Sequence, residues 1–347
     1  MTIYDLYHFL RLEIDSGGVA AYERYFDNEF SRIDALKAGD ETGPQHTVTL
    51  RIVPALPSDL PADAIVRRVR FKKLFTFEFA VVGAGTEHAT VWFVDHKVSR
   101  LYVTAVGVFI QGQVLEPVMY LSVLRAGGLL MHAGGVARDG KAHLFPAHGG
   151  TGKTTMTIGM LAKGYSFLGD DLILVDPTTS TAYAYPRPLH VFTYNIRNLQ
   201  GADIPWRISA AIYGKNVLRF VLERVLRTEF LISTRVHADE VLDDLQLAEP
   251  STLRHVMFLV KEGEHRHLDL GDAEQHEEAA VAVIDSADLN LSLFDVLQDD
   301  AARADIRAEE LAIARSLLSG AEAFTFMNTR RLDLDEADRH VEDPTSL

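Results

Sequence analysis

Residues 141–164 constrain this chain more than any other stretch. Lys141–Pro146 is a short apolar run, and Ala147-His148-Gly149-Gly150-Thr151-Gly152-Lys153-Thr154 is a glycine-rich loop. Met156, Ile158, Met160 and Leu161 then continue as an apolar helix to about Lys163. A strand that turns through glycines into a helix opening with Lys and Thr fits the P-loop pattern, with Ala147 in place of its first glycine. Gly149, Gly150 and Gly152 allow backbone angles that turn successive N–H groups inward, which makes a concave anion nest. The helix starting near Lys153 points its positive dipole end at the same spot. In such a loop the lysine ammonium reaches the β- and γ-phosphates and the Thr154 hydroxyl is offered to Mg²⁺. The expected nucleotide-binding stretch is therefore Ala147, His148, Gly149, Gly150, Thr151, Gly152, Lys153, Thr154 and Thr155. His148 inside the loop reads as a solvent-facing filler.

The flanks supply the rest of the chemistry. Gly128–Ala137 and Lys141–Pro146 are apolar runs joined by Arg138-Asp139-Gly140, a hairpin signal, and His132 falls inside the first run. Downstream, Phe167–Val175 reads as a strand that carries two adjacent acids, Asp170 and Asp171, ahead of the run Leu172–Val175. A turn at Asp176-Pro177 and a strand at Ala182–Tyr185 follow.

Composition decides which classes of partner are open. The 347 residues carry 34 Lys plus Arg against 49 Asp plus Glu, a formal charge of −15, so nucleic acid is not the expected partner. Apolar residues at 47% are enough for a large core, which excludes a disordered chain. Cysteine is absent, which removes disulfides, thiolate zinc sites, iron–sulfur clusters and cysteine nucleophiles. The N-terminus lacks a basic leader, and the most apolar window, Leu101 to Ile110, is too short for a bilayer. The expectation is a cytoplasmic protein with no membrane partner.

Residues 1 to about 40 read as helical, with Leu6, Phe9, Leu10 and Ile14 on a period near 3.6. β-Rich runs follow at Thr47–Val53, Val66–Phe71, Leu74–Val82, Thr90–Val94 and Leu101–Ile110, then a helix over Gln113 to Arg125. Further on, 205–232 reads as a basic helix and 234–248 as an acidic one. His255–Val260 reads as a strand, 302–319 as a helix, and Ala323–Met327 as a closing edge strand. Glu309-Glu310 reads as a solvated helix face. The reading is α/β (α+β), with an N-terminal α+β module over 1–125, a P-loop domain with a mixed sheet over 126–332, and an acidic tail over 333–347 expected to fray.

The spacing of these residues resembles the bacterial HPr kinase/phosphorylase family and its relatives, whose P-loop fold is akin to phosphoenolpyruvate carboxykinase. In that family a histidine stands 21 residues before the P-loop lysine, as His132 stands before Lys153. A glycine follows the lysine at 11 residues, matching Gly164, and an Asp-Asp pair at 17 and 18, matching Asp170 and Asp171. The resemblance covers about 128 to 200 well and the N-terminal module hardly at all. It implies Asp171 as the acceptor of the proton from an attacking serine hydroxyl, Asp170 beside it near the metal, and His132 next to the carboxylate and the phosphates. Lys153 matches the phosphate-binding lysine and Thr154 the Mg²⁺ ligand. Carboxylates, lysine and Mg²⁺ are also what phosphoryl transfer needs on chemical grounds.

The pattern departs in two places. Where the family has a metal-binding glutamate in a Leu-Glu-Ile-Arg-Gly segment, this chain has Tyr194-Asn195-Ile196-Arg197-Asn198, so Asn195 is a weak, uncharged metal candidate. The family's basic phosphorolysis segment has no clean match, and Arg235 is its nearest stand-in as a phosphate contact. That leaves the reverse reaction, and HPr as substrate, without support. The expected function is an ATP- and Mg²⁺-dependent kinase acting on a serine-type hydroxyl of a peptide or protein. The alternatives are a small-molecule hydroxyl kinase and a non-catalytic nucleotide-binding regulatory protein. Either a monomer or an oligomer is compatible with the sequence.

Overall fold

The computed structural model describes residues 1–34, 43–71, 75–96, 103–191, 234–241, 245–261, 266–286, 300–327 and 334–342, with the isolated positions 36, 210, 213 and 214. The chain is α+β and forms two compact units. One comprises Met1–Leu130 with Asp288–Ile313, and the other Met131–Ala287 with Ala314–Leu347.

The first unit carries a mixed six-stranded sheet. Its strands are β1 (Thr2–Leu6), β2 (Leu10–Asp15), β3 (His46–Val53), β4 (Ile65–Phe71), β5 (Phe75–Val82) and β6 (His88–Val94), in the order β1-β2-β3-β6-β5-β4. The first forty residues thus hold a hairpin rather than one long helix. Tyr4 and Leu6, then Leu10, Leu12 and Ile14, are buried at alternate positions, and Tyr7 turns the chain with φ of 52°. Leu6, Leu10 and Ile14 satisfy both periods, and sheet pairing decides between them. Among the described residues there, the α-helix is α1 (Ala20–Asp34), with Tyr22, Phe26, Phe30 and Ile33 as its buried stripe.

Of the run expected as a strand at 101–110, the described residues Val103–Ile110 are helical. Helix α2 (Val103–Ile110), a π-helical turn (Gln111–Leu115) and α3 (Glu116–Arg125) follow one another without a break. Val103–Arg125 is long and apolar enough to cross a membrane, yet 83% of its most apolar stretch is buried inside the protein. Its burial makes it a core helix of the first unit. Short apolar runs do not distinguish buried helix from buried strand, which is why β-branched valines misled the sequence reading. Glu310 is not a solvated face either: it is buried and accepts a hydrogen bond from the Tyr120 hydroxyl at 2.6 Å.

The chain enters the second unit through β7 (Leu129–Met131). The hairpin β8 (Ala133–Arg138) and β9 (Lys141–Pro146) turns at Asp139 and Gly140, both with positive φ. After α4 (Lys153–Ala162) come β10 (Ser166–Gly169), β11 (Ile173–Asp176), β12 (Thr181–Tyr183) and the short pair β13 (Leu189–Val191) and β14 (Thr234–Val236). Helix α5 (Ala238–Val241), β15 (Ser251–Val260), β16 (Arg266–Leu268), α6 (Ala273–Asp285), α7 (Asp300–Leu318), β17 (Glu322–Met327) and α8 (Leu334–Glu342) complete the order. The sheet runs β10-β8-β9-β15-β12-β11. Strands β9 and β17 both lie parallel to β15, with Leu144 opposite Val256. Strand β17 is not an edge, because β16 pairs with its other side.

Three further expectations change here. The segment expected as one acidic helix over 234–248 opens as strand β14, and α5 is only four residues long. Phe167–Val175 is not one strand but two, β10 and β11, broken at the acidic pair. Residues 334–342 do not fray: Ala337 and Val341 of α8 are buried in the same cluster as Met156, Ile158 and Met160 of α4. Helix α4 is thus covered along its length, and its entrance is held firmly beside the carboxyl end of β9.

Candidate functional site

Strand β9 ends at Pro146 with β8 on one side and β15 on the other. The carboxyl ends of two neighbouring parallel strands are where open α/β sheets gather ligands. The glycine-rich loop leaves from this point. Gly150 and Gly152 have φ of 76° and 98°, conformations that a side chain would strain, and Gly152 is the residue that caps α4. Thr151 ties the loop to itself: its backbone N–H and its hydroxyl both donate to the carbonyl of His148. Thr151 and Thr155 are buried, and His148 is exposed as expected. Among the loop residues, Ala147 is buried and Gly149 lies at the surface.

Three of the expected side chains meet at the entrance to α4. Lys153 Nζ lies 2.7 Å from His132 Nε2. His132 Nε2 is also 3.2 Å from Asp171 Oδ1. The other ring nitrogen, Nδ1, donates to the backbone carbonyl of Ser286, the residue that caps α6. That bond places a proton on Nδ1, and the lysine ammonium, 2.7 Å from Nε2 and 3.1 Å from Nδ1, lies against the ring between its two nitrogens. A proton arriving on Nε2 would be donated to Asp171. His132 sits between β7 and β8 rather than within a strand, and this break is what frees its ring to reach both neighbours.

The second acid stands apart in character. Thr154 Oγ1 donates to Asp170 Oδ2 at 2.7 Å. Asp170 Oδ1 is buried with no hydrogen-bond partner among the described residues, as is Thr157 Oγ1. Both lie over Gly134, where an added Cβ would stand 2.4 Å from Thr157 Oγ1 and 3.7 Å from Asp170 Oδ1. Burial pushes the Asp170 carboxyl up to about 7; Asp171 adds to this, while the hydroxyl of Thr154, Lys153 and the nearby Thr157 hydroxyl pull the other way. A buried carboxyl with a hydroxyl beside it, whose charged form burial disfavours, would gain from a hard cation with oxygen ligands. Among the described residues no group of three or more His, Asp and Glu is arranged to hold a metal by itself.

Two residues escaped the sequence reading. Arg187, almost fully buried, aims Nη1 at Asp171 Oδ2 from 3.8 Å. It lies between Pro186 and Pro188, in a context that reads as a turn and carries no motif. Lys261 follows β15, and its Nζ comes 4.0 Å from where a Cβ on Gly150 would stand, placing a second ammonium against the loop. Its signal was the parallel pairing of β9 and β15, which sequence does not display. Asn195 lies outside the described residues, as does the basic helix expected over most of 205–232. Arg235 falls on β14, opposite His190 of β13. Comparison with models of known protein families and with curated proteins gave no match.

Proposed function

We propose that this chain is an ATP- and Mg²⁺-dependent phosphotransferase whose acceptor is a serine-type hydroxyl of a peptide or protein. One observation carries the reading: Lys153, His132 and Asp171 converge at the mouth of α4, with the Thr154–Asp170 pair beside them. The inward-facing loop and the helix N-terminus would take the β- and γ-phosphates, and Lys153 and Lys261 would neutralise them. Asp170 and Thr154 would hold Mg²⁺, which supplies charge neutralisation for the transferring phosphoryl group.

Asp171 then has the role of base. It takes the proton of the acceptor hydroxyl as that oxygen bonds to the γ-phosphorus and the bond to the β–γ bridging oxygen breaks. The products are a phosphate ester, ADP and one proton. His132 Nε2 lies within reach of Asp171 to receive that proton, and its hold on the Ser286 carbonyl keeps the ring in place. Arg187 steadies the carboxylate from the opposite oxygen. A protein that only binds nucleotide has no use for this base.

The test is transfer of ³²P from γ-labelled ATP into a lysate separated by mass, using wild type, Lys153→Ala and Asp171→Asn. Wild type should label macromolecules, and both variants should lose at least about a hundredfold in rate. Label confined to small molecules would move the acceptor to that class. Full transfer by Asp171→Asn at normal ATP affinity would remove the assigned base.

A further inference from the structure

A cavity of about 190 Å³ opens beside the start of the glycine-rich loop. Ala147 and His148 line it from the loop, Phe258 from β15, Leu268 from β16, and Ala279 and Ala282 from α6. These walls are mostly apolar, and the polar groups lie at the rim. Arg266 and Glu278 face one another there, 3.7 Å apart, and both are largely exposed. Ser286 also lines the cavity, and its carbonyl is the acceptor that holds His132. The cavity is therefore continuous with the loop on one side and one residue away from the catalytic histidine on the other.

Its size and chemistry narrow the occupant. A small apolar slot with a few polar groups at its edge accepts a flat aromatic ring, whose faces gain from burial and whose edge needs hydrogen bonds. The volume is too small for a peptide segment. Because Ala147 and His148 line the cavity as well as the loop, a molecule with its phosphates in the loop has this slot within its neighbourhood for a ring system. Glu278 can accept from an exocyclic amine, and Arg266 can donate to a ring nitrogen or carbonyl.

We infer that the cavity between α6, β15 and β16 is the subsite for the purine base of the nucleotide whose phosphates occupy the loop. The inference rests on the phosphotransferase reading and goes beyond it by assigning the base-recognition residues. Loop contacts alone would bind any polyphosphate. This subsite makes the protein selective for a nucleoside triphosphate over the bare chain of phosphates.

The experiment measures dissociation constants for MgATP and for magnesium tripolyphosphate by calorimetry on the full chain. Wild type should bind ATP about tenfold or more tighter than tripolyphosphate. Ala282→Phe, which fills the slot, should weaken ATP by about tenfold and leave tripolyphosphate within about twofold. Retained tripolyphosphate binding also shows that the variant is folded. Glu278→Ala, at the exposed rim, should weaken ATP in the same selective manner without threatening the fold. Equal affinity for the two ligands in wild type, or equal losses for both in Glu278→Ala, would overturn the inference while leaving phosphate binding intact. If neither ligand binds wild type, or Lys153→Ala changes neither affinity, the phosphotransferase reading fails and the subsite with it.

Discussion

At the scale of single residues, the candidate site depends on one position with no chemistry of its own. Gly134, in β8, lets Thr157 Oγ1 approach the strand more closely than any side chain would permit, with Asp170 Oδ1 next to it. Gly134→Ala puts a carbon 2.4 Å from the Thr157 hydroxyl, so either the strand or α4 must give way. Overpacking of this kind costs about 1–3 kcal/mol, and urea unfolding should show a loss in that range. The functional consequence should exceed the loss of stability, because the hydroxyl that must move, Thr157 Oγ1, acts directly on the Asp170 carboxyl. Under conditions where the variant remains folded, the Mg²⁺ concentration for half-maximal transfer should rise several-fold. A variant that loses stability but keeps its Mg²⁺ requirement would show that the cradle is only packing.

At the scale of elements, what was legible in the sequence followed how local the signal was. The hairpin at Asp139-Gly140, the loop and α4 are written in consecutive residues, and their chemistry depends on those residues alone. His132, Asp170 and Asp171 were placed together by the family resemblance, and the geometry does bring them to one mouth. Arg187 and Lys261 were not legible: Arg187 sits in an irregular segment between two prolines with no motif, and Lys261 reaches the loop only through the pairing of β15 with β9. The N-terminal hairpin and α2 were misread where apolar positions satisfied two periods at once. Helix α8 is the clearest case of tertiary context overriding composition. Its acids read as a solvated tail, yet Tyr165 donates to Asp338 at 2.9 Å, and Arg138 lies over the Tyr165 ring while bonding Glu342. Between these contacts Ala337 and Val341 close over α4. Val341→Ala should therefore cost about 2 kcal/mol in urea unfolding, as for a core valine and unlike a frayed end. A loss below about 0.5 kcal/mol would mean that the helix is not docked in solution.

At the scale of the whole molecule, acid acts through two opposing terms. The chain carries a formal charge of −15, so protonation of its carboxylates relieves self-repulsion as pH falls from 7. Against this stands a pair of buried histidines behind α4. His143 Nδ1 lies 3.0 Å from His255 Nδ1, so one ring donates and the other accepts, and two protonated rings cannot share that contact. Burial holds His143 down to about 3, with His255, Arg138, Lys141 and Arg254 adding to the effect. Burial likewise holds His255 down to about 4. The groups facing the pair are the Tyr165 ring, the Phe324 ring and Glu322, whose carboxylate is 3.7 Å from His255 Nε2. In the unfolded chain both rings titrate near 6.5, so the unfolded state binds protons first as pH drops. Their stabilising contribution is complete above about pH 6.5 and is lost progressively as pH falls toward 4 and then 3. At pH 5 the loss from His143 alone is about 2 kcal/mol, with His255 acting in the same direction. Because carboxylate titration is common to both proteins, the comparison that isolates the pair is wild type against His143→Gln, unfolded in urea at pH 7 and pH 5. The variant should be less stable at pH 7, since a fitted ring is gone, but its further loss on going to pH 5 should be smaller by about 2 kcal/mol. Parallel pH profiles for the two proteins would show that these rings exchange protons with solvent in the folded state as freely as in the unfolded one.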